Sequence, residues 1–123
     1  MQTLQVSPLN LLAPAEAPQA PNGVLDTQKL DGVFLLDFFY EGKAANQQID
    51  ITIAVKPDRF SPPIPWGTRF TTSTAGKEQV SLNSRSLFGY QFKSGSVVIS
   101  YLATIDGPPQ PSEALPLSIV DTA

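Results

Sequence analysis

A chain of 123 residues has room for one domain built on one core. Its net charge of −3 lacks the basic footprint that nucleic acid requires, and a charged share of 15% beside 12 prolines leaves little helix-forming material. Cysteine and histidine are both absent, which excludes disulfides, thiolate nucleophiles, ordinary zinc sites and every His-based catalytic triad.

The chain opens with an arm, 1–12, whose Leu4, Val6, Leu9, Leu11 and Leu12 are too apolar for a freely solvated tail. Its start lacks the cationic and long apolar regions of a signal peptide, and no segment reaches the roughly 18 apolar residues of a membrane span. Pro14, Pro18 and Pro21 stand among small residues, a spacing that favours extended, polyproline-like backbone. Residues 1–21 are therefore read as an arm and a semi-rigid linker, and 22–123 as the folded domain. The leucines of the arm are expected to pair as an edge strand, on their own domain or on a second copy, which makes a homodimer through the arm one outcome.

From residue 22 the apolar period becomes two. A turn at Asn22-Gly23 leads into a short element over 24–26, and 33–40 places Phe34, Leu36, Phe38 and Tyr40 on one face of a strand. Ile49, Ile51, Ile53 and Val55 alternate with Asp50, Thr52 and Ala54, the least ambiguous strand in the chain. Three prolines over 60–67 predict a loop that cannot be a central strand. Strands follow over 68–74, with one mostly polar face, and over 77–82. Residues 84–92 lack alternation and read as a crossover with one helical turn. A long strand over 95–105 and a last one over 113–121, with Leu115, Leu117 and Ile119 inward, complete the chain. About seven short strands with turn chemistry between them predict an all-β antiparallel sandwich, with a closed barrel as the alternative.

The eleven carboxylates are scattered, without the spacing of a calcium loop or the paired placement of a glycosidase, so no catalytic residue, metal site or cofactor is expected. Asp37 falls on the outward face of its strand, where exposure, or a partner such as Lys93 or Arg85, is expected rather than an acid of raised pKa. Trp66 is the single tryptophan, and Phe60 and Ile64 lie near it in the Pro-rich loop. Three roles compete for it: capping the sandwich edge, anchoring a protein partner, or stacking on a sugar. The spacing of Pro62 and Pro65 matches a PxxP ligand by coincidence.

Residues 21–121 resemble the immunoglobulin-like modules repeated in large surface and secreted proteins of pseudomonads. The resemblance lies in Gly23-Val24-Leu25-Asp26, in Gly95-Ser96-Val97-Val98-Ile99-Ser100-Tyr101 and in Ser112-Glu113-Ala114-Leu115-Pro116-Leu117-Ser118-Ile119, and it spans about four fifths of the chain. It implies an immunoglobulin-like sandwich, a spacing or adhesive role and an extracellular or cell-surface setting within a larger protein. It transfers no functional residue. The expected function is a non-catalytic module that binds protein or serves adhesion, and the alternative is a small carbohydrate-binding module using Trp66, Phe60 and Arg69. Termini at opposite ends of the sandwich would favour modules joined in series.

Overall fold

The computed structural model describes residues 11–120. Along them run β1 (Val24–Asp26), β2 (Val33–Phe38), β3 (Gln48–Lys56), β4 (Ile64–Thr71), β5 (Glu78–Asn83), helix α1 (Ser84–Phe88), β6 (Gly95–Thr104), the two-residue β7 (Gln110–Pro111) and β8 (Leu115–Val120). The larger sheet has the order β1-β8-β6-β3-β4, with β7 added beside β6, and β2 and β5 form the smaller one. The two sheets pack face to face as an all-β sandwich rather than a closed barrel. All pairings are antiparallel except β1 with β8, which is parallel.

The core follows from strand periodicity. On β3, Ile49, Ile51, Ile53 and Val55 are all buried, as are Val97, Ile99, Tyr101 and Ala103 on β6 opposite them. From the smaller sheet Phe34, Leu36 and Phe38 complete the layer, and Phe38 meets Tyr101 edge to face at 5.1 Å between centroids. Each such side chain contributes roughly 1.5–3 kcal/mol on leaving water. Gly95 opens β6 where a Cβ would stand 2.8 and 2.9 Å from the carbonyl oxygens of Lys56 and Pro57, so glycine is what lets β6 start beside the end of β3.

Two segments depart from the sequence reading. The loop expected over 60–67 ends early: β4 begins at Ile64, includes Pro65, and merges with the strand expected from residue 68. The proline rule still holds, because β4 is the outer strand of its sheet, where a missing N–H breaks no ladder bond to a second neighbour. The supposed linker is likewise part of the sandwich. Ala15, Ala17 and Ala20 are buried, Glu16 exchanges two main-chain hydrogen bonds with Asp37 at 2.9 and 2.8 Å, and the Gln19 side chain bonds Val33 O and Leu35 N. Proline holds the backbone extended, and alanine, having almost no side chain, lets it lie flush on the core. The packing therefore has no break at residue 21.

Residues 11–26 consequently tie both sheets together. Leu12 N donates to Pro111 O of β7, Glu16 pairs with β2, and β1 pairs with β8. Of the arm, Leu11 and Leu12 alone are described. The edge-strand expectation for Leu4, Val6 and Leu9 lies outside the described residues.

Candidate functional site

The strand registers sort every loop to one of two ends. Lys56 on β3 stands opposite Ser96 on β6, and Val55 opposite Ile64 on β4, so the 57–63 and 89–94 loops emerge together. The turn after β1 and helix α1 after β5 emerge at the same end, since Asp26 pairs with Val120 and Val33 with Asn83. The opposite end holds the 39–47, 72–77 and 105–109 loops and residue Leu11. Because residues 11–26 run from one end to the other and β8 finishes beside β1, Leu11 and Val120 lie at opposite ends.

At the first end Lys93 N donates to Pro57 O at 2.9 Å, which joins the two loops. The Asp58 carboxylate then accepts the main-chain N–H groups of Phe60 and Ser61, both at 2.8 Å. These bonds, that of Phe60 foremost, hold its carboxyl below the ordinary value, so the turn is fixed at neutral pH. Held this way, Phe60 projects from the turn and is 89% exposed. The Arg59 guanidinium sits 5.6 Å from its ring centroid. Asp58, Arg59, Phe60, Lys93 and Ser94 line a hollow of about 310 Å³. Exposed Tyr90 lies in the second loop, edge-on to Phe92. A larger hollow of about 510 Å³, lined mainly by Thr27, Gln28, Asp31, Ser84 and Arg85, separates the turn after β1 from α1.

The three residues expected to bind do not form one site. Trp66 alternates with Ile64 and Phe70 on the inward side of β4 and packs against the core, half-buried. Arg69 points outward from the same strand and is held by Asp50 on β3, Nε to Oδ1 at 2.6 Å, a bond that keeps the Asp50 carboxyl below its ordinary value. Phe60 alone is fully presented. Neither a free Trp66 ring nor an apolar patch linking Trp66 to the arm is present among the described residues, since Leu11 and Leu12 lie at the other end.

Asp37 also differs from expectation. Gln79 Nε2 donates to its Oδ1 at 2.9 Å and Lys77 Nζ stands 3.8 Å from Oδ2, whereas Lys93 and Arg85 belong to the Phe60 end. Register places Gln79 directly across from Asp37, a pairing that alternation within one strand cannot show.

What the sequence reading missed is the company Phe60 keeps. Lys93 and Ser94 are brought to it and to Arg59 by a loop contact between residues more than thirty apart in sequence. A local signal did exist: an aspartate two residues ahead of Phe60 is the composition of a side-chain-capped turn. Among the described residues no group of acidic side chains is arranged to hold a metal ion, and no helix is long and apolar enough to cross a membrane. Comparison with family models, with curated proteins and with solved structures finds no match for this chain.

Proposed function

We propose that this chain is a non-catalytic, immunoglobulin-like binding module that the polypeptide traverses from end to end and that meets another macromolecule through its Phe60 end. The observation carrying this reading is the Phe60 ring, 89% exposed on a turn fixed by Asp58. Leaving such a ring in water forgoes roughly 1.5–3 kcal/mol of burial, which a partner recovers without ordering a loop that is already ordered. Strand order supports the immunoglobulin-like assignment, since the last strand lies between the first and the sixth in one sheet while the opening segment also pairs with the other. The opposed positions of Leu11 and Val120, the ends of the described segment, support placement in series, in the manner of spacing or adhesive modules at a cell surface or outside the cell. The sugar-binding alternative draws no support from Trp66, whose ring packs on the core.

The test is photo-crosslinking in the source cells, with a benzoyl-bearing phenylalanine placed at position 60 and, as a control, at exposed Val98 on the outer face of β6. A discrete crosslinked product from position 60 alone is expected. Equal labelling from both positions, or none from position 60, would overturn the reading. Retention in a polysaccharide gel that Trp66→Ala abolishes and Phe60→Ala leaves intact would favour the sugar-binding module instead.

A further inference from the structure

The charges of the chain are sorted between its two ends. At the Phe60 end lie Lys29, Lys56, Arg59, Arg85 and Lys93 with three carboxylates, Asp26, Asp31 and Asp58. Among the described residues Arg59, Arg85 and Lys93 make no ion pair. Towards the opposite end lie Glu16, Asp37, Glu41, Glu78, Asp106 and Glu113, against Lys43 and Lys77. Both of those lysines are already committed to carboxylates, Lys43 to Glu78 at 2.9 Å and Lys77 to Glu16 and Asp37. Among the described residues one end is therefore cationic and the other anionic.

Shape follows the same division. The cationic end projects a ring, while the anionic end has a hollow of about 410 Å³ lined by Leu11, Leu12, Ala13, Glu41 and Gln110. Its lining is mixed: Leu11, which is exposed, Leu12 and Ala13 give it an apolar side, and Glu41 and Gln110 a polar one, acidic at Glu41. Glu113 belongs to the same rim, its main chain being bonded to Leu12 O at 2.9 Å, and Gly42, next to Glu41, packs near Ile105, which precedes Asp106.

Resting on the reading of the Phe60 end as a binding surface, we infer that its partner is the anionic end of a second copy of this chain. Phe60 of one copy enters the Leu11–Leu12 hollow of the next, and Arg59 meets Glu41 at the rim. The fit commits to a like copy because, among the described residues, both complements, a ring with a cation and a leucine-sided hollow with a carboxylate, stand at opposite ends of the same molecule. Such a contact is heterologous: each copy leaves one knob and one hollow unused, so association grows into a linear stack rather than closing as a dimer. Stacking along this axis also keeps the chain's two described ends in line with it.

Sedimentation of the full chain tests this at about 10 mM and about 1 M NaCl, where screening lengths are roughly 30 Å and 3 Å. Association is expected at low salt, growing past the dimer with concentration, and weakening at high salt. Phe60→Ser removes the knob, Glu41→Lys spoils the hollow, and each is expected to weaken self-association by roughly tenfold or more, as a central anchor does. Val98→Ser, on an exposed residue away from both ends, is expected to change nothing. The decisive arm mixes the two variants. One retains a hollow and the other a knob, so they should form a dimer that grows no further. A wild-type monomer at both salts, a closed dimer, or a mixture that stays monomeric would overturn the stack. Association only after removal of residues 1–10 would show the chain's own arm filling the hollow, and would overturn it too. Crosslinking from position 60 to a different protein, with no self-association, would leave the Phe60 end a binding surface and defeat this inference alone.

Discussion

The two ends of the sandwich are built on opposite principles. At the anionic end polar groups are turned inward and satisfied. The Lys43 side chain is fully buried, its ammonium bonded to Glu78 and to Thr74 O, while Gln47 links Tyr40, Gly42 and Ala44, and Thr72 closes on Gln47 N and Ala44 O. No buried side-chain polar atom among the described residues is left without a partner. At the cationic end polar groups do the reverse: Asp58 spends its carboxylate on its own turn, and Phe60 and Arg59 face water. A network that clamps two loops costs stability when cut, whereas a ring left in water contributes little to the fold that presents it.

Variants along the molecule separate these principles, beginning with the layer both ends depend on. Ile51→Asp places a charge beneath Tyr101 with nothing to pair it and is expected to unfold the domain, a loss above about 4 kcal/mol by chemical denaturation. A wild-type midpoint would mean that β3 faces the other way.

Cutting the inward network comes next. Lys43→Ala strands the Glu78 carboxylate, and a loss of about 2–4 kcal/mol is expected, against clearly less for Lys43→Met, which refills the volume. Equal losses would show that Lys43 serves through the bonds of its ammonium to Glu78 and Thr74 rather than through packing. At the cationic end Gly95→Ala drives a methyl into the Lys56 and Pro57 carbonyls and against Phe92, and about 1–3 kcal/mol is expected.

Acid acts more gently and at both ends, since Asp58 and Glu78 are each held below their ordinary values. Burial raises the Glu78 carboxyl, but hydrogen bonds from Ser73 and Lys43 outweigh it and leave the group below its ordinary 4.5. A carboxyl depressed in the folded state stabilises the fold above its unfolded value and loses that contribution as pH falls through the folded one. Thermal midpoints should therefore hold above about pH 5 and fall below about pH 4.5, with a shallower fall in Lys43→Met. Tyr40 and Tyr101 act at the other extreme. Burial, chiefly, raises both above 10, so stability should decline as pH climbs past about 10, where unfolded tyrosine ionises first.

Least is expected of Phe60→Ala in the isolated domain. An exposed ring contributes little to folding, and a change under about 0.5 kcal/mol in either direction should accompany its removal. A large destabilisation would mean that the ring is packed in solution, and the contrast between the ends would fail.

Much of this was written in the chain itself. Alternation fixed the buried face of β3 from Ile49 to Val55 and the inward run Phe34, Leu36, Phe38 and Tyr40, because a strand's side chains alternate whatever it pairs with. Absence of histidine and cysteine settled which chemistries are impossible, since no fold supplies a missing functional group. Tertiary structure decided the rest, in each case through a partner distant in sequence. A Pro- and Ala-rich run at Ala13 to Pro21 suits a free spacer and a packed segment equally, and only the bridge from Glu16 to Asp37 of β2 and the burial of its alanines make it the latter. Pro65 is compatible with a strand only because β4 has a neighbour on one side and water on the other. Trp66, Arg69 and Phe60 lie within ten residues yet share no surface, because a strand sends Trp66 and Arg69 to opposite faces while a turn held by Asp58 sends Phe60 out of the sheet altogether.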